Sequence, residues 1–365
     1  MRHSANKQSA PDVLIAGAGV IGLAIGWRAA QARLSVCIVE ARRPGAGSSG
    51  VAAGMLAPVT EADFGERELI RSNVEAAACY PGFVAELEAE TGMHTGYRPC
   101  GTLSVATDRD ELELLDRMHA LQRELGLNAE RLTARDARVL EPGLAPGITG
   151  AIHAPDDHQV SPRALLAALE AAFTAAGGEL RCGEDVASLN VEGDSATGVT
   201  LASGERVAAG AVVIAAGSWS GQVEGVELPV RPVKGQILRL RGNAEHPVAR
   251  RVIRTPEVYA VPRADGRLVV GATVEEQGFD TTVTAGAVLE LLRRAYDVLP
   301  QITELELVEI SAGLRPATPD NCPLVGSGEI EGLHWATGHW RNGVLQAPLA
   351  ARAIVARLAG RAVAG

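Results

Sequence analysis

The sequence predicts an α/β fold, α and β mixed, with a Rossmann-like nucleotide-binding domain and a second, mostly antiparallel β-sheet domain. Three glycine-bearing turns predict the first domain, because each directly follows a short apolar segment, ending at Ala16, Ile214 and Thr337. Short alternating segments between these turns predict the second domain. We therefore expect a discontinuous nucleotide domain (residues 1–95, 152–228 and 312–365) and a substrate-binding domain (residues 96–151 and 229–311).

The N-terminal unit has the order strand, turn, helix, strand. The apolar run Val13–Ala16 predicts a buried parallel strand, and Gly17–Gly22 reads G-A-G-V-I-G. A helical segment, Leu23–Ala32, and a second apolar strand, Ser35–Val39, follow. The glycine motif therefore lies between a strand and a helix, which is the context that a dinucleotide-binding site requires.

The three motif glycines have separate roles in such a site. Gly17 permits the tight turn, Gly19 lets a pyrophosphate approach the backbone, and Gly22 lets the helix pack on the strand. The helix N-terminus supplies unpaired N–H groups for the phosphates. Glu40 follows Gly22 by 18 residues, close to the separation of about 20 expected of an acid that binds a ribose hydroxyl.

A run of small residues after Glu40 indicates which dinucleotide binds. Residues 43–55 read R-P-G-A-G-S-S-G-V-A-A-G-M. A segment with such small side chains allows the backbone to lie against a large flat ligand. We therefore expect FAD rather than NAD.

The middle of the chain alternates helices and strands. Arg109–Leu125 has leucines at helical spacing among charges and predicts a surface helix. Ser161 and Pro162 predict the N-cap and first position of a helix that ends before Gly177. Strands are predicted at 179–182 and 211–214, with an antiparallel meander between them and a small-residue turn at 215–219.

The C-terminal part closes with a hairpin and another strand–turn–helix unit. Val258–Pro262 and Leu268–Gly271 flank an Asp-Gly turn and predict the hairpin. A strand is expected at Leu305–Ile310, with Arg315 shortly after it. Leu333–Thr337 predicts a strand and Ala347–Leu358 a helix, whose N-terminus could face the same cofactor.

Composition and charge exclude several classes of protein. The 365 residues are 47% hydrophobic and carry a formal net charge of −10 without a basic cluster, which argues against nucleic acid or an anionic membrane as a partner. No uninterrupted apolar run approaches the roughly 18 residues of a membrane span. The polar start, Met1–Pro11, has no hydrophobic signal segment, so we expect a cytoplasmic protein.

The cysteines and histidines predict no metal site. The five cysteines are widely spaced without a CxxC pair, and the eight histidines include no HxxH or HExxH pair. This pattern suits a protein of the reducing cytoplasm.

Taken together, the motifs resemble the D-amino-acid-oxidase superfamily and, within it, the family of glycine oxidases that serve thiamine biosynthesis. In chain order they read GAGVIG, SSGVAAGML, SPRALL, VVIAAGSW, PVKGQ, YAVPRADGRLVVGAT, AGLRPATPD and GHWRNGVLQAP. The similarity extends from about Val13 to Gly360. Many flavoproteins share the first motif, so the narrower assignment depends on VVGAT, AGLRPATPD and GHWRNGVLQAP.

This resemblance implies a set of FAD contacts. The family's FAD-lining positions correspond here to Val20, Ile21, Glu40, Ala41, Ser48, Ser49, Ala53, Gly54, Met55, Val186, His339, Trp340, Arg341, Asn342, Gly343, Val344 and Leu345. The turn glycines Gly17, Gly19, Gly22 and Gly217 complete the predicted set. Some sarcosine-oxidase relatives attach FAD to a cysteine shortly before the T-P-D turn. Because residues 311–317 contain no cysteine, we expect noncovalent FAD.

The resemblance also implies the substrate contacts. Arg315 corresponds to the carboxylate-binding arginine, and Tyr259 and Arg341 to further contacts, so these three form the predicted catalytic set; Met55 is expected in the substrate wall. A guanidinium binds a planar carboxylate through two parallel N–H···O bonds, which would orient the Cα–H bond.

At two other positions of the expected substrate site, the residue type differs from that in some relatives. Glu257 stands where some have histidine, and Val274 where some have methionine, which leaves the side-chain preference of the site open.

The expected activity is oxidative deamination of glycine, with sarcosine and small D-amino acids also turned over. The products are an imine that hydrolyses to glyoxylate and ammonia, and hydrogen peroxide from dioxygen. Two alternatives stay open: a sarcosine or broad D-amino-acid oxidase or dehydrogenase, and a flavin-binding redox subunit without catalysis. Further expectations are a homo-oligomer and a functional link to thiazole synthase.

Overall fold

A six-stranded sheet and an eight-stranded sheet organise the chain. The computed structural model describes residues 10–362. Residues 1–9 and 363–365 lie outside the described residues. They belong to the predicted nucleotide domain, and the first nine also belong to the polar start for which no signal segment was predicted.

The helices are α1 (Val20–Gln31), α2 (Ser48–Val51), α3 (Arg67–Thr91), α4 (Arg109–Glu124), α5 (Ala134–Leu140), α6 (Pro162–Ala175), α7 (Ala285–Val298) and α8 (Gly343–Ala362). Short 3₁₀ helices cover Gly217–Gln222 and Pro300–Glu304. The strands are β1 (Val13–Ala16), β2 (Val36–Glu40), β3 (Met55–Leu56), β4 (Thr102–Ala106), β5 (Glu130–Thr133), β6 (Gly150–Ala154), β7 (His158–Gln159), β8 (Glu179–Cys182), β9 (Val186–Glu192), β10 (Ser195–Leu201), β11 (Arg206–Ala208), β12 (Ala211–Ile214), β13 (Arg231–Arg241), β14 (Val252–Arg254), β15 (Tyr259–Pro262), β16 (Arg267–Gly271), β17 (Glu306–Ala317), β18 (Leu324–Ser327) and β19 (Leu333–Thr337).

The six-stranded sheet brings the three glycine turns together. Its order is β18-β19-β12-β1-β2-β8, and all pairs except β18 with β19 are parallel. The carboxyl ends of β1, β12 and β19 therefore meet at one edge, so the turns that follow these strands lie side by side. The predicted strands Val13–Ala16 and Leu333–Thr337 are confirmed with their bounds. The second strand is displaced by one residue, which makes Glu40 its last residue.

Helices α1, α6 and α8 cover one face of this sheet in one hydrophobic cluster. Helix α8 begins at Gly343, four residues before the predicted start, directly at the glycine turn. It continues through Pro348, which has no N–H to donate to the carbonyl of Val344. The hydroxyl of the buried Tyr80 donates to that carbonyl instead, at 3.2 Å. The helix therefore tolerates its internal proline, because another donor replaces the missing one.

The eight-stranded sheet has the order β17-β13-β16-β15-β14-β4-β6-β5, with β14 and β4 as its parallel pair. The predicted hairpin is confirmed as β15 and β16. The expectation of a strand at Leu305–Ile310 with Arg315 beyond its end is wrong, because β17 continues to Ala317. The physical reason is its partner: β13 pairs with β17 from Arg231 to Arg241 and supplies backbone groups along the whole length.

We retain the two-domain division as a proposal, with one large sheet as the core of each domain. The six-stranded sheet takes its strands from the segments assigned to the nucleotide domain. Strands β6 and β17 of the other sheet each cross a predicted boundary, at residues 151/152 and 311/312.

A buried carboxylate fixes the loop that joins β3 to α3. Asp157 accepts hydrogen bonds from the backbone N–H of Val59 at 2.9 Å and of Thr60 at 2.7 Å, and from the Thr60 hydroxyl at 2.6 Å. Its burial raises the pKa of this carboxyl to about 7. The loop continues directly to Glu61, and this anchor therefore sets where the Glu61 carboxylate lies.

Within residues 10–362, none of the helices has both the length and the hydropathy needed to cross a membrane.

Candidate active site

A cavity of about 430 Å³ is lined by both large sheets and by the segment around α2. Its walls include seventeen of the predicted site residues: Gly19, Val20, Ile21, Glu40, Ser48, Ser49, Ala53, Gly54, Met55, Gly217, Tyr259, Arg315, His339, Trp340, Arg341, Gly343 and Val344. The remaining predicted residues Gly17, Gly22, Ala41, Val186, Asn342 and Leu345 do not line this cavity. The fold therefore brings together residues that are more than 300 positions apart in the chain.

Gly17 and Gly22 shape the cavity from behind its wall. Gly17 has φ +105°, and a Cβ there would lie 2.6 Å from the Ala215 carbonyl oxygen. A Cβ on Gly22 would lie only 1.9 Å from the carbonyl oxygen of Gly17. These contacts involve backbone atoms that cannot move aside, so both positions require glycine.

The N-terminus of α1 and the end of β2 form one end of the cavity. Glu40 Oε2 accepts from the backbone N–H of Ala18 at 2.8 Å, and Ser49 Oγ accepts from that of Val20 at 3.1 Å. The Glu40 carboxylate retains lone pairs for further donors, as ribose hydroxyls would be. This end therefore combines the N–H donors of a helix N-terminus, a turn of glycine and alanine residues, and a carboxylate acceptor, which suit the phosphates and the ribose of FAD.

His339 supplies a second observation that fits FAD. Its side chain is buried and lies on the cavity wall, and its Nε2 atom has no hydrogen-bond partner within the described residues. Burial lowers the pKa of His339 to about 4, so the imidazole is neutral at physiological pH. A buried polar atom without a protein partner is expected where a bound group completes the site.

Two arginines that the sequence analysis did not select hold the small-residue segment. Arg239 Nη2 donates to the carbonyls of Gly50 at 3.2 Å and Val51 at 3.1 Å. Arg263 donates to the carbonyls of Ala53 and Val160. Arg239 lies on β13 and Arg263 in the turn between β15 and β16, so both bind the segment between β2 and β3 to the eight-stranded sheet.

At the other end of the cavity, two backbone carbonyls, the Trp340 ring and the space above Gly235 fix the orientation of the Arg315 side chain. Its Nη1 atom donates to the carbonyl oxygens of Thr273 at 3.0 Å and Lys234 at 3.4 Å. Its guanidinium carbon lies 5.8 Å from the centroid of the Trp340 ring. A Cβ on Gly235 would lie 2.3–2.5 Å from the guanidinium, so this group occupies the space that a side chain there would take.

Tyr259 has a similar arrangement on the neighbouring strands. It lies opposite Gly271, where a Cβ would be 2.5 Å from the Tyr259 hydroxyl oxygen. Desolvation raises the pKa of Tyr259, although the nearby Arg315 charge opposes this shift. The phenol is therefore protonated at physiological pH and can donate to an anionic ligand. Gly235 and Gly271 were missed from the sequence, although glycine within a strand is a known signal of close approach.

Of the other three arginines on the cavity wall, Arg254 and Arg341 have carboxylate neighbours. Arg341 Nη2 lies 3.4 Å from Glu66 Oε2 and its Nε lies 3.7 Å from Glu61 Oε2, while Arg254 Nε lies 3.7 Å from Glu61 Oε1. Within residues 10–362, Arg315 forms no ion pair with a carboxylate. Nothing in the sequence pattern identified Glu61 or Arg254, because neither belongs to a recognisable motif.

Glu257 and Val274 both lie on the cavity wall. The Glu257 carboxylate forms an ion pair with Arg294 of α7 at 2.6 Å, and Val274 is 66% exposed. These two positions therefore lie toward the solvent side of the site.

The described residues contain no group of three or more His, Cys, Asp or Glu side chains that could hold a metal ion. All five cysteines fall in this part of the chain, and none of them lines the cavity.

Comparison with known proteins agrees with this site. The family described as FAD dependent oxidoreductase matches residues 12–357. The chain is 37% identical to a glycine oxidase of Geobacillus kaustophilus (strain HTA426) over 344 residues, which is 93% of this chain and 90% of that protein. A crystal structure of glycine oxidase from Geobacillus kaustophilus has a TM-score of 0.90 at 36% identity, covering 96% of this chain and 95% of that one.

A further relative is a longer protein. The chain is 36% identical over 352 residues to the bifunctional protein ThiO/ThiG of Synechocystis sp. (strain PCC 6803), covering 95% of this chain and 51% of that protein. The chain thus spans about half the length of this relative.

The family match covers nearly the whole chain, and the cavity has the features that its cofactor needs. The resemblance and the mixed α/β fold class predicted from the sequence are confirmed. The chain belongs to the FAD dependent oxidoreductase family, whose cofactor is FAD.

Proposed function

We propose that this protein is a flavin-dependent oxidase that oxidatively deaminates glycine, with sarcosine and small D-amino acids as further substrates. Arg315 carries the proposal, because it is a cavity-lining guanidinium that is fixed by two carbonyls and has no carboxylate partner within residues 10–362. The 37% identity to a glycine oxidase supports a small amino acid as the substrate.

The chain's own residues bind and orient the substrate in this proposal. The Arg315 guanidinium pairs with the substrate carboxylate, and the protonated Tyr259 hydroxyl donates to the same group. This pairing fixes the direction of the Cα–H bond. When bound, FAD would supply the acceptor for the Cα hydride and the source of the two electrons that reduce dioxygen to peroxide.

No side chain is required to take a proton during this step. The substrate enters with its amine neutral, so loss of hydride from Cα leads directly to the protonated imine, which water hydrolyses to glyoxylate and ammonia. Neutral His339 adds no positive charge that would compete for the carboxylate. Arg341 and Met55 remain proposed substrate contacts, and the Glu61 and Glu66 carboxylates partly neutralise Arg341.

We propose that the predicted FAD contacts hold the cofactor as the resemblance implies. Glu40 and the N-terminus of α1 bind the dinucleotide part, and the turn at His339–Gly343 closes over the isoalloxazine. A cytoplasmic location and a homo-oligomer remain proposals.

Arg315→Met should raise the KM for glycine while FAD stays bound. A hydrogen bond to a charged group contributes about 1.5–3 kcal/mol, which corresponds to about tenfold to somewhat over a hundredfold. Gly235→Ala should raise KM in the same direction, because its Cβ would displace the guanidinium. Steady-state peroxide formation measures both effects.

Gly326→Ala is the matched control for the glycine substitution. Gly326 also lies in a strand, but a Cβ there would be 3.6 Å from its nearest neighbour, which is an ordinary contact. Near-normal glycine kinetics in Arg315→Met would refute the carboxylate assignment.

FAD should dissociate completely when the holoprotein is precipitated with acid. No cysteine lines the cavity, and Cys322 lies after the Thr318-Pro319-Asp320 turn rather than before it. The absorbance of the supernatant and pellet measures the release. Yellow colour that remains in the washed pellet would contradict noncovalent binding.

Glycine should reduce the flavin rapidly under anaerobic conditions, and air should restore the oxidised spectrum with formation of peroxide. One methylene in an apolar site is worth only about 1–3 kcal/mol, so the kcat/KM values for glycine, sarcosine and D-alanine should differ modestly. A strong preference for sarcosine or D-alanine would favour the broader oxidases, and peroxide-free turnover would favour a dehydrogenase. Absence of reduction by any amine would indicate a redox subunit.

We propose thiamine biosynthesis as the pathway, with a functional link to thiazole synthase, because the chain is similar to a bifunctional protein ThiO/ThiG. The useful product would be the glycine imine, consumed before water hydrolyses it. Deleting the gene should create a thiamine requirement during aerobic growth. Normal growth without thiamine, in a host that lacks another route to this imine, would count against the proposal.

A further inference from the structure

The segment between β16 and α7, residues 272–284, contains no helix or strand and forms part of the cavity wall. We call it the strap. It contributes Ala272 and Val274 to the wall, and the carbonyl of Thr273 accepts the 3.0 Å hydrogen bond from Arg315. The orientation of Arg315 therefore depends on the position of this segment, whose backbone is bonded to β13 at Thr273 and Glu275.

Two almost completely buried polar side chains of β13, Lys234 and Gln236, fasten the strap; each is 1% exposed. Lys234 Nζ lies 3.0 Å from Asp280 Oδ2 and 3.5 Å from Glu275 Oε2. Gln236 Nε2 donates to Glu275 Oε1 at 2.8 Å, and its Oε1 accepts from the backbone N–H of Thr284 at 2.9 Å.

The backbone of Lys234 takes part as well. Lys234 and Glu275 exchange backbone hydrogen bonds of 2.9 and 3.0 Å, and the Lys234 carbonyl also accepts from Arg315 at 3.4 Å. Lys234 therefore accepts one hydrogen bond of Arg315 directly, and it also fastens the segment whose Thr273 carbonyl accepts the other.

The choice of lysine at this position is unusual for this chain. Only Lys7 and Lys234 are lysines among 34 basic residues. A compact ammonium with three donors fits between two carboxylates on different parts of the strap, whereas a planar guanidinium needs more space. The Asp280 hydrogen bond, helped by Glu275, raises the pKa of Lys234, so the buried side chain is charged and paired.

We propose that Lys234 is a positioning residue for substrate binding: it fastens the strap so that the Thr273 carbonyl keeps Arg315 directed at the substrate carboxylate. The inference rests on the proposed function, in which Arg315 binds that carboxylate. Lys234 itself touches neither the substrate nor the cofactor in this arrangement.

The chain offers a matched control on the same two elements. Arg231 also lies on β13 and pairs with Glu276 of the strap at 3.1 Å, but these side chains are 53% and 62% exposed. An exposed ion pair contributes little, so its loss should leave the strap in place.

Lys234→Met keeps an unbranched side chain that is one atom shorter and removes its charge. In the FAD-loaded enzyme we expect the KM for glycine to rise about tenfold or more, with kcat changed less than threefold and FAD affinity unchanged. Amide hydrogen exchange of residues 273–284 should become at least tenfold faster. Arg231→Met should change KM less than twofold and leave the exchange unchanged.

A second pair of variants changes Asp280, the half-exposed partner of Lys234, and tests the same ion pair if Lys234→Met does not fold. Asp280→Asn should change KM and exchange in the same direction, and Asp280→Glu should restore both, since the 48% exposed side chain leaves space for one more methylene. Unchanged KM in the folded Lys234→Met and Asp280→Asn variants would overturn the inference, and so would faster exchange without a change in KM. Equal loss of kcat and FAD affinity would also overturn it, because that pattern indicates a general structural role.

Failure of the proposed function can be distinguished from failure of this inference. If the wild-type holoprotein oxidises no amino acid, acetate serves as an inert carboxylate, and its binding is followed by the change in flavin absorbance. The inference then requires weaker acetate binding in both Lys234→Met and Arg315→Met, with wild-type binding in Arg231→Met. Wild-type acetate affinity in Lys234→Met would overturn it.

Discussion

The close approach of backbone and charged groups at a few glycines is the constraint on which the site depends. At Gly22 a Cβ would lie 1.9 Å from the Gly17 carbonyl oxygen, so the first helix can pack on its strand only without a side chain there. At Gly235 the missing side chain leaves the space that the Arg315 guanidinium occupies. One glycine thus permits the cofactor turn, and the other permits the proposed carboxylate site. Both effects are steric, and no favourable contact elsewhere could replace the missing space.

Arginine side chains connect the two sheets at the cavity. Arg239 and Arg263 extend from the eight-stranded sheet to carbonyls of the small-residue segment after β2. Burial lowers the pKa of each to about 10, which still lies well above physiological pH, so both guanidinium groups stay charged. The segment between β2 and β3 contains several predicted FAD contacts. It is therefore held in place by arginine side chains from the part of the chain that forms the eight-stranded sheet.

Charge is unevenly distributed among the cavity arginines. Glu61 lies between Arg254 and Arg341, and the loop that carries it is anchored by the buried Asp157. Arg315, by contrast, is held by neutral carbonyls, so its positive charge is not offset by an acid within the described residues. This difference explains why we propose Arg315 rather than Arg341 as the principal group that binds the substrate carboxylate.

The sequence by itself determined the local units. The strand Val13–Ala16, its glycine turn and the strand Leu333–Thr337 were predicted because their signals lie within a few neighbouring residues. Only the tertiary structure decided which distant groups meet. The full length of β17 depends on pairing with β13, and Glu61, Arg254 and Gly235 join the site through contacts across the chain. Such contacts depend on how the sheets pack, and the residues neighbouring Glu61 and Arg254 in the sequence form no pattern that indicates this packing.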